Sequence, residues 1–289
     1  MRAGWRLLVY LLLFGLIASA ESLLAIALQL PQVTHTEITA RGLLIQECIG
    51  MFAALAAAAI TGRLEGREFG VYGLPAAAGS AKRFWTGVAW GIVMISTMIL
   101  LIWMLHGFSF GGLALHGLEL WSFAAMWGLV FLCVGVFEEF LFRGYTQFTL
   151  STGVGFWPAA SMLSAAFGAL HLTNGGEDKV GAFSVFVIGM FFCLTLRRTG
   201  NLWFAVGLHA SFDWGETFLF SVPNSGIVVH GHLLNSSFQG PAWLTGGTVG
   251  PEGSVMAFAV VGIAAIIFSR VYPPDEIIHE TTPGGNGVQ

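Results

Sequence analysis

From Trp121 to Phe137 the chain carries no charge at all, and the same apolar run then sets Glu138, Glu139 and Arg143 into it. Such a run fits a membrane interior, where ionisable groups are costly and must find partners. On a helix Glu139 and Arg143 are i,i+4 and share a face, so they pair. Glu138 is turned by about 100° on the helical wheel and gains no partner from its own helix. The spacing therefore predicts one neutralised pair and, beside it, one free carboxylate. A free carboxylate in an apolar site is suited to general acid or base work.

The composition supports a membrane reading. Hydrophobic residues make up 55% of the chain and charged residues 10%, against about 25% charged in soluble domains. The mean hydropathy is +0.76. Net charge of −4 gives no reason to expect a nucleic-acid partner. Apolar runs divided by polar or Gly/Pro punctuation lie at about 5–30, 42–61, 84–105, 120–149, 156–172, 180–196, 201–222 and 254–270. They predict an all-α, polytopic transmembrane helical bundle of about eight spans. Short connections at 150–155, 173–179 and 197–200 make hairpins of neighbouring spans. Segment 62–83 is an amphiphilic loop, 223–253 a long Gly/Ser/Asn-rich loop, and the tail from Val271 is expected to be disordered. Arg2, Arg6 and Ala18-Ser19-Ala20 resemble a signal peptide, but apolar residues resume at Leu23, which favours a retained, tilted span.

Lys and Arg set the expected orientation. With the N-terminus cytoplasmic, that side holds Arg2, Arg6, Arg63, Arg67, Lys82, Arg83, Arg197, Arg198 and Arg270, and the other side only Arg41 and Lys179. Both termini are then cytoplasmic and the 223–253 loop lies outside. Cys48, Cys133 and Cys193 sit in apolar runs without a CxxC pair and read as packed thiols.

Three more polar groups fall inside predicted spans. His171 ends the fifth; His209 and Asp213 lie in the seventh and share a helix face at i,i+4. Glu138 and His171 stand equally far in sequence from the Gly153–Gly155 turn, so an antiparallel hairpin puts them at one level. His209 is about 15 Å of helix rise from the 197–200 turn, near mid-membrane depth. These groups can converge on one cavity. His230 and His232 have no nearby acid and read as exposed loop residues. His35, His106, His116 and His279 fall in loops or the tail.

Glu138-Glu139-x-x-x-Arg143, Phe167-x-x-x-His171 and His209-x-x-x-Asp213, in that order, resemble the three signatures of the CPBP family. These are the CAAX prenyl endopeptidases and bacteriocin-processing or immunity proteins, also called Abi proteins. The flanks agree: Phe142-Arg143-Gly144-Tyr145, His171-Leu172-Thr173-Asn174, and Arg198-Thr199-Gly200-Asn201-Leu202-Trp203. The resemblance covers about residues 120–221. It implies an intramembrane peptidase of a bacterial-type cell membrane. In it Glu138 and His171 activate a water, His209 and residue 213 face the oxyanion, and Glu139 and Arg143 position the site. The substrate implied is a membrane-associated or prenylated peptide or protein, with membrane lipid around the bundle. Where the third signature often ends in Asn, this chain has Asp213. Asn donates a hydrogen bond and an ionised Asp cannot, so Asp213 serves as a protonated donor, orients His209, or binds a metal.

The expected mechanism needs no cofactor and no metal. The alternative is a zinc set of Glu138, His171, His209 and Asp213, although no HExxH helix is present. The expected organisation is three N-terminal spans with their loops over 1–119, a catalytic core over 120–222, and over 223–289 an external loop, a last span and the tail. The rival class is a non-catalytic immunity or scaffold protein, or an ion-coupled transporter, since intramembrane Glu, Asp and His also build proton relays. The chain shows no inverted repeat of the kind transporters use.

Overall fold

The computed structural model describes residues 2–33, 38–76 and 79–274. The tail beyond Pro274, with His279, lies outside the described residues, as does His35. In chain order the helices are α1 (Ala3–Ala27), α2 (Ala40–Leu64), α3 (Ser80–Met104), α4 (Gly117–Arg143), α5 (Tyr145–Val154) and α6 (Phe156–His171). They continue with α7 (Lys179–Thr199), α8 (Trp203–Trp214), the one-turn α9 (Ala242–Thr245) and α10 (Val255–Val271). Two-residue strands, β1 (Phe108–Ser109) and β2 (Ser237–Phe238), pair antiparallel. The protein is an all-α, polytopic membrane bundle.

Among the described residues five helices are long and apolar enough to cross a membrane, with α4 and α5 taken together as Gly117–Val154. Lipid offers the backbone no hydrogen bonds, so an apolar run closes its own as a helix. Chain ends are tied where the sequence supplies a cap. Asp178 accepts from the amides of Val180 and Gly181 at the start of α7, and Ser254 from Ala257 at the start of α10. The outer helices present apolar side chains outward: Leu12, Leu16, Leu23 and Leu24 of α1 are exposed.

Helix α8 is the central element, and every residue from Phe204 to Asp213 is buried. Helix α3 lies against it through Gly87, Gly91 and Gly207. A Cβ at any of the three would run into the facing backbone, at the carbonyls of Phe204, Leu208 and Phe84 respectively. Small residues of this kind allow the close helix contact that replaces hydrophobic driving force in lipid.

The fourth predicted span is not one helix. It bends at Gly144, where φ is −83° and ψ is −120°. A Cβ there would strike the Phe140 carbonyl. The Thr146 hydroxyl donates to the Leu141 and Phe142 carbonyls, satisfying groups the bend frees. Helix α6 consequently packs along α7 and then α5, and less on α4. Glu138 and His171 are therefore related through a bent element, and not by the simple hairpin that equal spacing from 153–155 assumes.

The expected long loop at 223–253 is a packed roof. Strand β2 and the Leu113–Leu234 bridge join it to the α3–α4 connection. Trp127 Nε1 donates to the Gly231 carbonyl at 2.9 Å and Asn174 Nδ2 to the Ser225 carbonyl at 3.0 Å. Leu244 and Val249 within it are buried. A Gly-rich composition reads as slack in sequence, but here it allows tight turns over an apolar floor.

Candidate active site

Helix α4 carries Glu138, Glu139 and Arg143 on its last turns. The Glu139–Arg143 pair forms, with Arg143 Nη1 3.3 Å from Glu139 Oε1 and both side chains fully buried. Room for the guanidinium comes from α7, where a Cβ on Gly189 would collide with Arg143 Nη2. Its face is covered by Phe167, whose ring centroid is 4.3 Å from Arg143 Cζ, and by Phe192 at 5.5 Å. A desolvated guanidinium gains both from the carboxylate and from ring faces.

His209 of α8 joins this pair. Its Nδ1 lies 3.0 Å from Glu139 Oε1, and Phe192 stacks on its ring at 5.2 Å between centroids. A carboxylate only accepts, so Nδ1 carries a proton and donates it. Nε2 points to two further acids, Glu138 Oε2 at 3.6 Å and Asp213 Oδ2 at 3.5 Å. Glu138 thus has a neighbour that its own helix could not reveal: the nearby imidazole belongs to α8, seventy-one positions on in the chain. Glu139 serves two partners, Arg143 and His209. Trp214 Nε1 donates to the Ala124 carbonyl at 3.0 Å and fixes α8 against α4.

His171 is held differently. Its Nδ1 lies 2.9 Å from the Phe167 carbonyl one turn earlier. The carbonyl can only accept, so the neutral ring keeps its lone pair on Nε2. Phe167 therefore does two things, orienting His171 through its carbonyl and covering Arg143 with its ring.

A cavity of about 230 Å³ is lined by Glu138, His171, His209 and Asp213. Glu139 and Arg143 do not line it and stand behind the wall. The roof contributes Asn224, Ser225 and Glu252, and α2 contributes Gln46 and Glu47. Glu252 Oε2 accepts from both the amide and the hydroxyl of Ser225, at 2.8 and 2.7 Å. The α2 and roof residues went unflagged in the sequence. For Glu47 the signal was present, an acid within the apolar run 42–61, the same signal that marks Glu138. For Glu252 there was none, because loop polar residues are ordinary.

His230 is exposed and His232 half-buried, its Nδ1 2.9 Å from the Leu234 carbonyl; neither reaches the cavity. All three cysteines are free thiols, with Cys48 Sγ 3.7 Å from Cys133 Sγ. Among the described residues no group of three or more His, Cys, Asp or Glu is placed to hold a metal ion. His209 Nδ1 faces Glu139 and His171 Nδ1 faces a carbonyl, so on both rings Nε2 is the nitrogen left over, on His209 beside Glu138 and Asp213.

No curated protein matches the chain. A family model described as type II CAAX prenyl endopeptidase Rce1-like matches residues 120–215. That segment contains α4 from Leu120 onward, α5, α6, α7 and α8. It holds Glu138, Glu139, Arg143, His171, His209 and Asp213, and excludes α2 and the roof. Signatures, membrane helices and family model agree: over residues 120–215 the chain is similar to the Rce1-like, CAAX-type membrane endopeptidases.

Proposed function

We propose that the cavity hydrolyses a peptide bond of a membrane-associated or lipidated protein or peptide, using a water activated by Glu138 and His171. One observation carries the reading. Glu138, His171, His209 and Asp213, from three helices, line one cavity while Glu139 and Arg143 are sealed behind it. Structural ion pairs are buried together; here one acid of an adjacent pair is sealed and the other is left facing the space.

In this mechanism the substrate carbonyl enters between Glu138, His171 and His209. Glu138, assisted by the Nε2 lone pair of His171, takes a proton from water, and the oxygen adds to the carbonyl carbon. His209, in its doubly protonated form, donates from Nε2 to the resulting oxyanion. Asp213 beside Nε2 and Glu139 at Nδ1 fix the ring between them, which gives Asp213 an orienting role in place of the donor role an Asn would play. Collapse of the intermediate breaks the C–N bond, and the proton taken from water passes to the leaving amine. The apolar outer faces of the helices place the reaction among membrane lipids, and the Lys/Arg bias supports cytoplasmic termini.

Glu138→Gln keeps shape and most hydrogen bonding but removes the base. Cleavage is expected to fall by ~10²–10⁴-fold while the melting temperature holds. His171→Ala is expected to fall similarly, and the double variant little further, because groups acting as a unit are non-additive. Full turnover by purified Glu138→Gln, measured on a peptide the wild type cleaves, rejects the mechanism. Absence of cleavage of any such peptide by the wild type would favour a scaffold or transporter. Chelation provides a second arm: activity is expected to survive a tight zinc chelator, and loss restored by zinc alone overturns the metal-free route.

A further inference from the structure

Four carboxylates line the cavity, Glu47, Glu138, Asp213 and Glu252, and no Lys or Arg among the described residues does. Arg143 is committed to Glu139 and Phe167 behind the wall. Three of the four acids are accounted for: Glu138 and Asp213 flank His209, and Glu252 holds Ser225. Glu47 is not. It comes from α2, outside the matched segment, and is only 8% exposed. Oε1 takes one bond, from Gln46 Nε2 at 3.3 Å, and Oε2 has no hydrogen-bond partner. A buried carboxylate oxygen without a donor is costly in a low-dielectric site, and a donor arriving with the substrate removes that cost.

We propose that Glu47 is a specificity residue that binds a Lys or Arg side chain of the peptide substrate near the scissile bond. The inference rests on the endopeptidase reading and names its substrate class. A cationic side chain meets an unpartnered oxygen in a cavity lined by four acids. An acidic side chain there would add a further acid where no Lys or Arg among the described residues lines the cavity to receive it. The cavity therefore selects a basic segment over an acidic one.

The test uses the full chain in phosphatidylcholine nanodiscs and quenched-fluorescent apolar decapeptides, acetylated and amidated, with one Lys scanned along them. Norleucine and Glu replace Lys in matched sets, and unblocked peptides form separate arms. The best Lys peptide is expected to exceed its norleucine counterpart by at least ~10-fold in kcat/KM, the scale of one hydrogen bond to a charged group. In Glu47→Gln that ratio is expected to fall toward one, and in Glu47→Lys to turn in favour of the Glu peptide. A ratio of one in the wild type, which needs no variant to fold, overturns the proposal. So does an unchanged ratio in Glu47→Gln. Preference for an unblocked amino terminus, with no effect of Lys in blocked peptides, also overturns it, the cation then being the chain end. Binding of the same peptides to Glu138→Gln, read by fluorescence anisotropy, separates the two readings. Lys-selective binding that depends on Glu47, with no cleavage by the wild type, keeps the cation site and rejects the endopeptidase. Binding blind to Lys removes the cation site whatever is cleaved.

Discussion

Two carboxylate-centred clusters on α2 and its neighbours meet opposite fates. Near the C-terminal end of α2, Glu65 receives the Arg6 guanidinium and the Tyr145 and Tyr72 hydroxyls, with Arg67 Nε at 3.6 Å. Both its oxygens are satisfied, and three aromatic rings, Tyr10, Tyr72 and Tyr145, stack beside them. Burial pushes the Glu65 carboxyl up, but the bonds from Arg6 and Tyr145 prevail and hold it below the usual carboxylate range. Toward the other end of the helix, roughly 27 Å away at the usual rise per residue, Glu47 keeps an oxygen with no donor. The difference separates a clasp from a site. Where acids, cations and hydroxyls balance, the cluster ties α1, α2 and α5 together and has nothing left to offer a ligand. Where acids outnumber donors, the deficit is a binding and catalytic resource.

The sharpest way to test that contrast is to exchange outcomes between the clusters. Cavity variants such as Glu138→Gln are expected to lose turnover and keep stability. The sealed pair behind the cavity is expected to do the reverse first. Arg143→Ala leaves Glu139 fully buried with His209 as its remaining partner, and one-sided removal of a buried pair costs about 3–5 kcal/mol. Low abundance or a strongly lowered melting temperature is the expected result. An Arg143→Ala protein as stable as wild type would show that the pair is not what holds α4, α6 and α7 together. The clasp comes next in size. Glu65→Gln loses charge-assisted bonds and is expected to cost about 1.5–3 kcal/mol at neutral pH. Because the folded Glu65 lies below its ordinary value of 4.5, this stabilisation is full above that pH and is lost as pH falls through the folded value. Melting curves of the two proteins should therefore converge in acid; a constant gap down to low pH contradicts the charge account.

Much of this was legible because cost is legible. Ionisable residues in apolar runs marked Glu138, Glu139, Arg143, His171, His209 and Asp213, and helical spacing gave the Glu139–Arg143 pair without any tertiary information. What spacing along one helix cannot supply is the neighbour from another. That is why the 3.6 Å approach of His209 to Glu138, the 3.0 Å contact of His209 with Glu139 and the use of Phe167 as a lid on Arg143 emerge only in three dimensions. The bend at Gly144 was hidden for another reason: a helix in lipid tolerates glycine, so the residue reads as neutral until the Phe140 carbonyl is seen against it. The roof was hidden because its packing uses Trp127 and Asn174, residues far from it in sequence.

The smallest expected effect lies at the roof's edge, with an acid placed between the two extremes. Glu177 follows α6 in the connection to α7. Its Oε1 accepts from the Asp178 amide at 3.0 Å, while Oε2 is buried without a partner. Burial pushes its carboxyl up, the Asp178 amide opposes this, and the nearby Glu252 adds to it, bringing the group to about 7. A folded value raised above the ordinary 4.5 means that stability is full below that pH and declines as pH rises through about 7. Glu177→Gln removes the titration. The variant is expected to gain on wild type in melting temperature between pH 5 and pH 8, by a few degrees at most because the group is partly solvated. Glu252→Gln takes away the neighbouring charge and is expected to shrink that gain. If the two melting profiles run parallel across this range, Glu177 is an ordinary surface carboxylate, and the donor deficit stops at the cavity wall instead of extending into the roof.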